Sequence, residues 1–219
     1  MNKQIFVVAT VAVLLIAFVL GSRVYKQQHV DQIAFLSQAN AEMFVPADAQ
    51  TYGAPDAKVY IVEFFDPACE TCKDFAGYVK DIVAAHPGQV QVVLRYAPFH
   101  QGSDNVVKML EATRKQDKYW ETLDTMFATQ PYWASHDGAK PDLLWQYLAR
   151  AGVDVRRLQV DMADPALDAL VKRDLADAAA LGVRATPEFF VNGKPLPSWG
   201  LPQLQALVDA EVRANYGAR

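Results

Sequence analysis

The sequence contains few cysteines, no strong bias of charge and no stretch of low complexity. Only two of the 219 residues are cysteines, Cys69 and Cys72, and the formal net charge is −4. These features exclude a fold held by several disulfides, an all-cysteine zinc site and a globally basic nucleic-acid-binding protein. We find neither a glycine-rich phosphate loop nor a Ser-His-Asp order. The cysteine pair is therefore the main candidate for chemistry.

Hydrophobic residues make up 52% of the chain, and a long apolar segment lies at its N-terminus. Residues 5–22 are apolar apart from Thr10 and Ser22, and roughly 18 such residues cross a bilayer. We predict that residues 1–22 form an uncleaved signal anchor, since no A-x-A-like cleavage site follows the run. A cleaved signal peptide is the alternative.

Residues 23–51 have a polar-to-mixed composition and are predicted to form a tether between the apolar segment and a folded domain. His29–Met43 is compatible with a helix, and Pro46 ends that pattern. A stalk that holds a domain off the membrane is the favoured interpretation, and a dimerisation helix is the alternative.

The rest of the chain predicts one α/β domain interrupted by helices. Val59–Phe65 is a run of mostly apolar, β-branched and aromatic residues, which is typical of a strand covered on both faces. An amphipathic helix over Cys69–Ala85 and a second strand over Gln89–Tyr96 follow. These three elements form a predicted βαβ unit.

Residues 103–181 show helical patterns and no convincing strand, so they are predicted to form a helical insertion. Gly138, Gly152 and Gly182 are the predicted helix ends. The predicted helices are Asp104–Lys115, Lys118–Thr129, Pro141–Ala151, Arg156–Met162 and Pro165–Leu181.

Strand character returns at Glu188–Val191, after the insertion. Asn192-Gly193 predicts a tight hairpin turn into a partner strand over Lys194–Leu196. A helix over Gln203–Ala214 follows. The predicted domain comprises residues 52–102 and 182–219, with residues 103–181 inserted between them.

Cys69-Glu70-Thr71-Cys72 stands where a predicted buried strand is followed by a helix. The N-terminus of a helix presents unpaired N–H groups and about half a positive charge, which favour an anion. A thiol there is held partly as the thiolate, the nucleophilic form. We therefore predict that Cys69 attacks or receives a substrate disulfide. Cys72, one turn later, would resolve the mixed disulfide.

Metal binding is the alternative use of the two thiols. A tetrahedral zinc ion needs two more ligands, and His86, His100 and His136 do not show the usual H-x₃₋₅-H spacing. We therefore predict no metal and no bound cofactor, only a redox-active pair. His100 and His136 are expected to be surface or internally hydrogen-bonded side chains.

Three segments together resemble the DsbA-like branch of the thioredoxin superfamily. They are Glu63–Cys72, Arg95–His100 and Arg184–Gly193, and their order is preserved within roughly residues 52–212. The resemblance implies a thioredoxin fold interrupted by a helical domain, and thiol–disulfide exchange on proteins outside the cytoplasm. Many members are secreted or membrane-tethered, and some are recharged by a membrane quinone-linked oxidase.

The resemblance also implies roles for three further residues. Thr186-Pro187 matches the loop in which a cis-proline faces the cysteines and exposes the backbone of Thr186 to a substrate peptide; an ordinary trans turn is the alternative. Glu63 matches the buried acid beneath the cysteines, which relays a proton for Cys72 if its pKa is raised. The alternative for Glu63 is an edge position open to water.

The residues between the cysteines depart from those of the strongly oxidising members, which often have proline and histidine there. This chain has Glu70 and Thr71. Glu70 disfavours a thiolate at Cys69 by like-charge repulsion, and no cation between the cysteines offsets that effect. We therefore expect a reduction potential between those of thioredoxin and of the strongest oxidases.

These observations predict a protein thiol–disulfide oxidoreductase of the cell envelope, either an oxidase or an isomerase. Its predicted partners are protein thiols or disulfides and, because no further thiols are present, a DsbB-like or equivalent membrane partner that resets the pair. Residues 5–22 would anchor it in the inner membrane with the domain in the periplasm, or the domain is secreted if the signal is cleaved. The alternatives are a reductase in an envelope electron-relay chain and a non-catalytic metal-binding module.

Overall fold

The computed structural model describes residues 3–39 and 41–217 as a long helix followed by a mixed α/β domain. The strands are β1 Gln50–Gly53, β2 Val59–Phe65, β3 Val90–Tyr96, β4 Ala134–Ser135, β5 Gly138–Ala139, β6 Glu188–Val191 and β7 Lys194–Pro195. The α-helices are α1 Lys3–Ala39, α2 Glu70–Ala85, α3 Ser103–Ala112, α4 Tyr119–Trp133, α5 Trp145–Arg150, α6 Val155–Asp161, α7 Pro165–Ala180 and α8 Leu201–Tyr216. Short 3₁₀ helices cover Ala41–Met43, Thr113–Gln116 and Pro141–Leu143.

Five strands form the central sheet, in the order β1-β3-β2-β6-β7. β2 and β3 are parallel, with Val59 opposite Val90 and Phe65 opposite Tyr96. The other neighbouring pairs in this sheet are antiparallel. The redox motif follows β2, the central strand, so it lies at the C-terminal end of β2, in the middle of the sheet.

β2 is buried on both faces of the sheet, as its composition predicts. Phe64 packs with Phe44 in one cluster, whereas Ile61 and Phe65 belong to the larger core on the other face. Side chains alternate along a strand, so Glu63 lies on the same face as Ile61 and Phe65. Helices α2 and α4 cover that face and line a cavity beside Glu63.

The segment between β3 and β6 is helical from α3 to α7, apart from a two-stranded ribbon of β4 and β5. The expectation of no strand in residues 103–181 is therefore wrong at this ribbon. Gly138, predicted to end a helix, is the first residue of β5. Its φ is 130°, and an added Cβ would lie 2.7 Å from the carbonyl oxygen of Gln101, so both backbone and space require glycine here.

α1 runs for 37 residues and contains the candidate membrane or signal helix. Val7–Ile33 is apolar enough and long enough, by length and composition, to cross a membrane. The helix predicted within the tether is the second half of α1, followed by the 3₁₀ turn Ala41–Met43. It is therefore continuous with the apolar segment rather than a separate element.

The predicted tether is not separate from the domain. Phe44 is fully buried against one face of the sheet. The buried guanidinium of Arg95 donates hydrogen bonds to the carbonyl oxygen of Met43 and, at 2.9 Å, to Asp174. β1, which begins inside the predicted tether, adds an edge strand to β3. The tether prediction is wrong here because these contacts join segments far apart in the chain, which local composition does not report.

Candidate active site

The cysteine pair lies where β2 ends and α2 begins. Cys69 is the N-cap residue of α2, and Cys72 lies in its first turn. The backbone N–H of Cys69 donates to the carbonyl oxygen of Asp66 at 3.0 Å, which shapes the turn between strand and helix. The two thiols are not bonded to each other. Cys69 is 7% exposed and Cys72 is 0% exposed, so Cys69 is the more accessible sulfur, as predicted.

The pKa of the Cys69 thiol is lowered from 9.0 to about 5. The largest cause is a hydrogen bond from the side chain of Cys72, which outweighs the desolvation that raises the pKa. The side chain of Thr186 and the backbone N–H groups of Cys72 and Thr71 lower it further. These N–H groups lie in the first turn of α2, where helix donors lack intrahelical partners. Cys69 is therefore a thiolate at neutral pH, the form that attacks disulfides.

The pKa of Cys72 is raised well above its ordinary value. Desolvation by burial is the largest cause, and the hydrogen bond to Cys69 and the charges of Cys69 and Glu63 act in the same direction. The reduced pair therefore holds one thiolate and one protonated thiol at neutral pH. Before Cys72 can attack a mixed disulfide, a nearby group must accept its proton.

Glu63 is 5% exposed and lies in the central strand, so the alternative of a water-exposed edge position is wrong. Desolvation by burial, with a smaller contribution from the charge of Cys69, raises the pKa of Glu63 to about 8. A cavity of about 40 Å³ is lined by Glu63 and by Lys80 and Asp124, which form an ion pair at 2.8 Å near the surface. The cavity is large enough for a water molecule beside the carboxyl group of Glu63.

The loop before β6 contacts Cys69 directly. The Thr186–Pro187 peptide bond is cis, as predicted, and the trans alternative is wrong. The Sγ of Cys69 donates to the carbonyl oxygen of Thr186 at 3.2 Å in the thiol form. Trp199 holds the loop from its other end, because its Nε1–H donates to the carbonyl oxygen of Pro187 at 3.2 Å. The ring of Trp199 also lies 5.0 Å from that of Phe75 in α2.

Glu70 and Thr71 lie in the first turn of α2, beside Cys69. Glu70 is exposed, so water and salt screen its charge, and the pKa of Cys69 falls in spite of it. Thr71 contributes through its backbone N–H. The repulsion predicted from Glu70 is therefore outweighed by hydrogen bonds that residue types alone do not show.

Asp66 and Gln130 also hold the site, although neither is among the predicted site residues. Asp66 is fully buried, and its carboxylate accepts four hydrogen bonds, two of them from His100. Gln130 of α4 donates to the carbonyl oxygen of Cys69 at 3.0 Å. These contacts join residues 34 and 61 positions apart, and they hold the redox turn against the helical layer.

The histidines near the site do not form a metal centre. Within residues 3–39 and 41–217, no group of three or more His, Cys, Asp or Glu residues is arranged to hold a metal ion. The two histidines are expected to be either exposed or internally hydrogen-bonded. His100 is hydrogen-bonded to Asp66, and His136 is exposed. Both line a cavity of about 190 Å³ beside Cys69.

Residues 47–210 match the protein family described as Thioredoxin. A thioredoxin-like oxidoreductase from Silicibacter pomeroyi DSS-3 is 29% identical, with a TM-score of 0.69, and the match covers 82% of this chain and 99% of that one. BdbD from Bacillus subtilis is 23% identical, with a TM-score of 0.64 over 75% and 93% of the two chains. The thiol-disulfide exchange protein alpha-DsbA2 from Wolbachia pipientis is 18% identical, with a TM-score of 0.69 over 84% and 97%. These matches confirm the predicted thioredoxin fold.

Curated relatives are much longer than this chain. The Na(+)/H(+) antiporter NhaA of Herminiimonas arsenicoxydans is 32% identical over 164 residues, which are 74% of this chain and 25% of the relative. The Na(+)/H(+) antiporter NhaA 3 of Salinispora tropica is 27% identical over 210 residues, 93% and 31% of the two proteins. The chain thus spans about a quarter to a third of these relatives.

Proposed function

Because the chain belongs to the thioredoxin family, we propose that it is a protein thiol–disulfide oxidoreductase that donates or rearranges disulfides through Cys69 and Cys72. One observation carries the proposal. The sulfur of Cys69, the N-cap residue of α2, has a pKa of about 5 and is hydrogen-bonded to a fully buried thiol that keeps its proton. The fold shared with the oxidoreductase of Silicibacter pomeroyi supports it.

In the proposed reaction, a substrate thiolate attacks the Sγ of Cys69 in the oxidised pair. The Cys69–Cys72 bond breaks, a disulfide forms between substrate and Cys69, and Cys72 leaves as a thiolate that takes the proton held by Glu63. A second substrate thiolate then attacks the substrate sulfur of the mixed disulfide. This step releases the substrate disulfide and the stable thiolate of Cys69, so two electrons have passed to the pair.

The proposed substrate contact is the Thr186-Pro187 loop. It lies against the sulfur of Cys69 and precedes the short strand β6, which suits brief backbone pairing with an extended peptide. A peptide held there presents its own sulfur to Cys69. The position of the loop supports this role for Thr186 and Pro187.

The low pKa of Cys69 favours disulfide donation over a reductase function. A stabilised thiolate stabilises the reduced pair, so the oxidised pair accepts electrons readily. Because the chain has only two cysteines, reoxidation needs another protein or oxidant. We propose a DsbB-like membrane oxidase, or an equivalent, as that partner.

The proposed location is the cell envelope. The apolar part of α1 supports a membrane anchor over residues 5–22, or secretion after cleavage. The proposed periplasmic side follows from the disulfide chemistry proposed for the cysteine pair, which suits an oxidising compartment. The ion exchange named for the curated relatives belongs to proteins of which this chain matches 25% and 31%. Ion transport is therefore not part of the proposal.

Trapping with Cys72→Ala tests the proposed function. The variant keeps the nucleophile but lacks the resolving sulfur, so mixed disulfides between Cys69 and envelope proteins should accumulate. A reducing agent should cleave them. Non-reducing gels and mass spectrometry of the trapped species measure this, with the Cys69→Ser, Cys72→Ala double variant as the matched control. If the single variant traps no more protein than the double variant, the chain is instead a binding module.

A further inference from the structure

The cavity of about 190 Å³ beside Cys69 lies away from the Thr186-Pro187 loop. Cys69, Glu70, His100 and His136 are among its lining residues. His100 follows β3, whereas the proline loop precedes β6, and β2 with the redox turn lies between those two strands in the sheet. The cavity is therefore a second approach to the sulfur, with ionisable side chains around it.

His100 is held in one orientation by a buried carboxylate. Asp66 Oδ2 lies 2.8 Å from Nδ1 of His100 and accepts the backbone N–H of His100 at 2.9 Å. The other oxygen of Asp66 accepts hydrogen bonds from the hydroxyl of Ser103 and, at 2.8 Å, from the backbone N–H of Ala68. Because a carboxylate only accepts, this contact places a ring proton on Nδ1, and in the neutral ring Nε2 then carries the lone pair.

Nε2 of His100 has no hydrogen-bond partner in the described part of the chain. The ring is anchored by its Nδ1 side, and His100 and Cys69 line the same cavity. His136 lines the same cavity, but it is exposed and no carboxylate holds it. Of the two histidines, His100 is therefore the one whose ring orientation is fixed by a buried carboxylate.

We propose that His100 is a catalytic general base for the incoming substrate thiol and that Asp66 is its positioning residue. The inference rests on the proposed function. Nε2 takes the proton of the substrate S–H, and the resulting thiolate attacks the Sγ of Cys69 in the oxidised pair. The Cys69–Cys72 bond breaks as the substrate–Cys69 bond forms. In the reverse direction, protonated His100 returns the proton to the departing substrate sulfur.

The assignment separates the two proton transfers of the reaction. Glu63 lies beneath the pair, on the face covered by α2 and α4, and serves the buried sulfur of Cys72. His100 lies in the open cavity and serves the sulfur of the substrate. The ionisable groups that face His100 are Asp66 from the end of β2, Cys69 and Glu70 from the start of α2, and His136 from the β4–β5 turn.

The substitution His100→Asn tests the inference, because the Asn amide can still donate to Asp66 but lacks the second ring nitrogen. The measurement is the rate at which a neutral peptide with one cysteine opens the oxidised pair, followed from about pH 7 to about pH 9. At about pH 7 the peptide thiol, with a pKa of about 8.5, is mostly protonated. We expect the variant to be slower there by up to about 30-fold, since only about 3% of the peptide thiol is ionised without a base. Near pH 9 the two rates should converge, since the peptide is already a thiolate.

Two other pH profiles overturn the inference. Equal rates at all pH values mean that no base acts through His100, and an equal loss at all pH values means a structural role. His86→Gln is the matched control, because His86 is also held by a carboxylate, that of Asp209 at 2.9 Å, but lines a different cavity, with Asp209 and Arg213. It should follow the wild-type profile.

The reduction equilibrium with glutathione provides a second readout. A general base speeds forward and reverse steps equally, so His100→Asn should leave this equilibrium within twofold of wild type. A larger change overturns the inference, because His100 would then stabilise the thiolate of Cys69. If wild-type protein fails to react with the peptide at any pH, the proposed function fails. If only the variant profile is unchanged, the proposed function stands and the role of His100 does not.

Discussion

Glu63→Gln is expected to slow the resolution of a Cys69 mixed disulfide by about 10²-fold at neutral pH. Glutamine keeps the shape of the buried side chain but cannot accept the proton that Cys72 must lose. The rate is measured by loading Cys69 with glutathione and following its release after rapid mixing. A variant that resolves at the wild-type rate would show that Cys72 loses its proton by another route.

The same substitution is expected to stabilise the fold. The pKa of Glu63 is about 8 in the folded protein, against 4.5 for the unfolded reference. The unfolded chain therefore releases this proton between those pH values while the folded protein retains it, so the native protein loses stability as the pH rises through this window. Glutamine does not ionise, so the Glu63→Gln variant does not lose stability in this way. Urea unfolding of the reduced forms should show no difference near pH 4 and a gain of up to about 3 kcal/mol at pH 7.

Glu111→Gln is the matched control for both measurements. Glu111 is another buried carboxyl with a raised pKa, caused mainly by desolvation, but its hydrogen bonds go to Tyr96 and Arg114 rather than to a cysteine. It should leave the resolution rate unchanged. A loss of rate in this variant as large as that of Glu63→Gln would point to a general effect of the buried layer.

The reduction potential of the pair is expected to lie between those of thioredoxin and DsbA, about −270 and about −120 mV. The pKa of Cys69, about 5, lies between about 7 for thioredoxin and about 3.5 for DsbA. The variation with pH is more specific. Below pH 5, reduction takes up two protons and the potential falls by about 59 mV per pH unit. Between pH 5 and pH 7, reduction takes up one proton, and the slope of the potential halves to about 30 mV per pH unit.

Equilibration with glutathione buffers of defined ratio, followed by mass spectrometry, gives this profile. The change of slope near pH 5 marks the titration of Cys69, because Cys72 keeps its proton throughout the range. A single slope of about 59 mV up to pH 7 would mean that the thiolate is not stabilised. A potential as high as that of the strongest oxidases would contradict the intermediate value.

The sequence predicts the elements whose signals are local. β2 and β6 have the predicted bounds, since each is a short apolar run ended by turn residues. Asn192-Gly193 forms the predicted turn, with Asn192 at a φ of 49° and a hydrogen bond from the backbone N–H of Tyr60 to its side chain. Cys69 stands at the start of α2 because the strand ends at Asp66-Pro67, as the composition indicates.

The parts that the sequence does not predict depend on contacts between distant segments. β1 is an edge strand that pairs with β3 and is mostly exposed. Its four residues therefore show no alternation of apolar and polar side chains long enough to detect. His100 gains its orientation only from Asp66, across 34 positions. The pKa of Cys69 depends on hydrogen bonds from Cys72 and Thr186, whose geometry residue types do not specify.

The central claim is that the fold holds Cys69 as a thiolate while Cys72 stays protonated. The test is the ultraviolet absorbance of the thiolate in fully reduced wild-type protein, titrated from acid to alkaline pH, with Cys69→Ser as the blank. We expect one thiolate to appear, with a midpoint at about pH 5. A midpoint near that of an ordinary cysteine, about 8.5, or two thiolates appearing together, would contradict it.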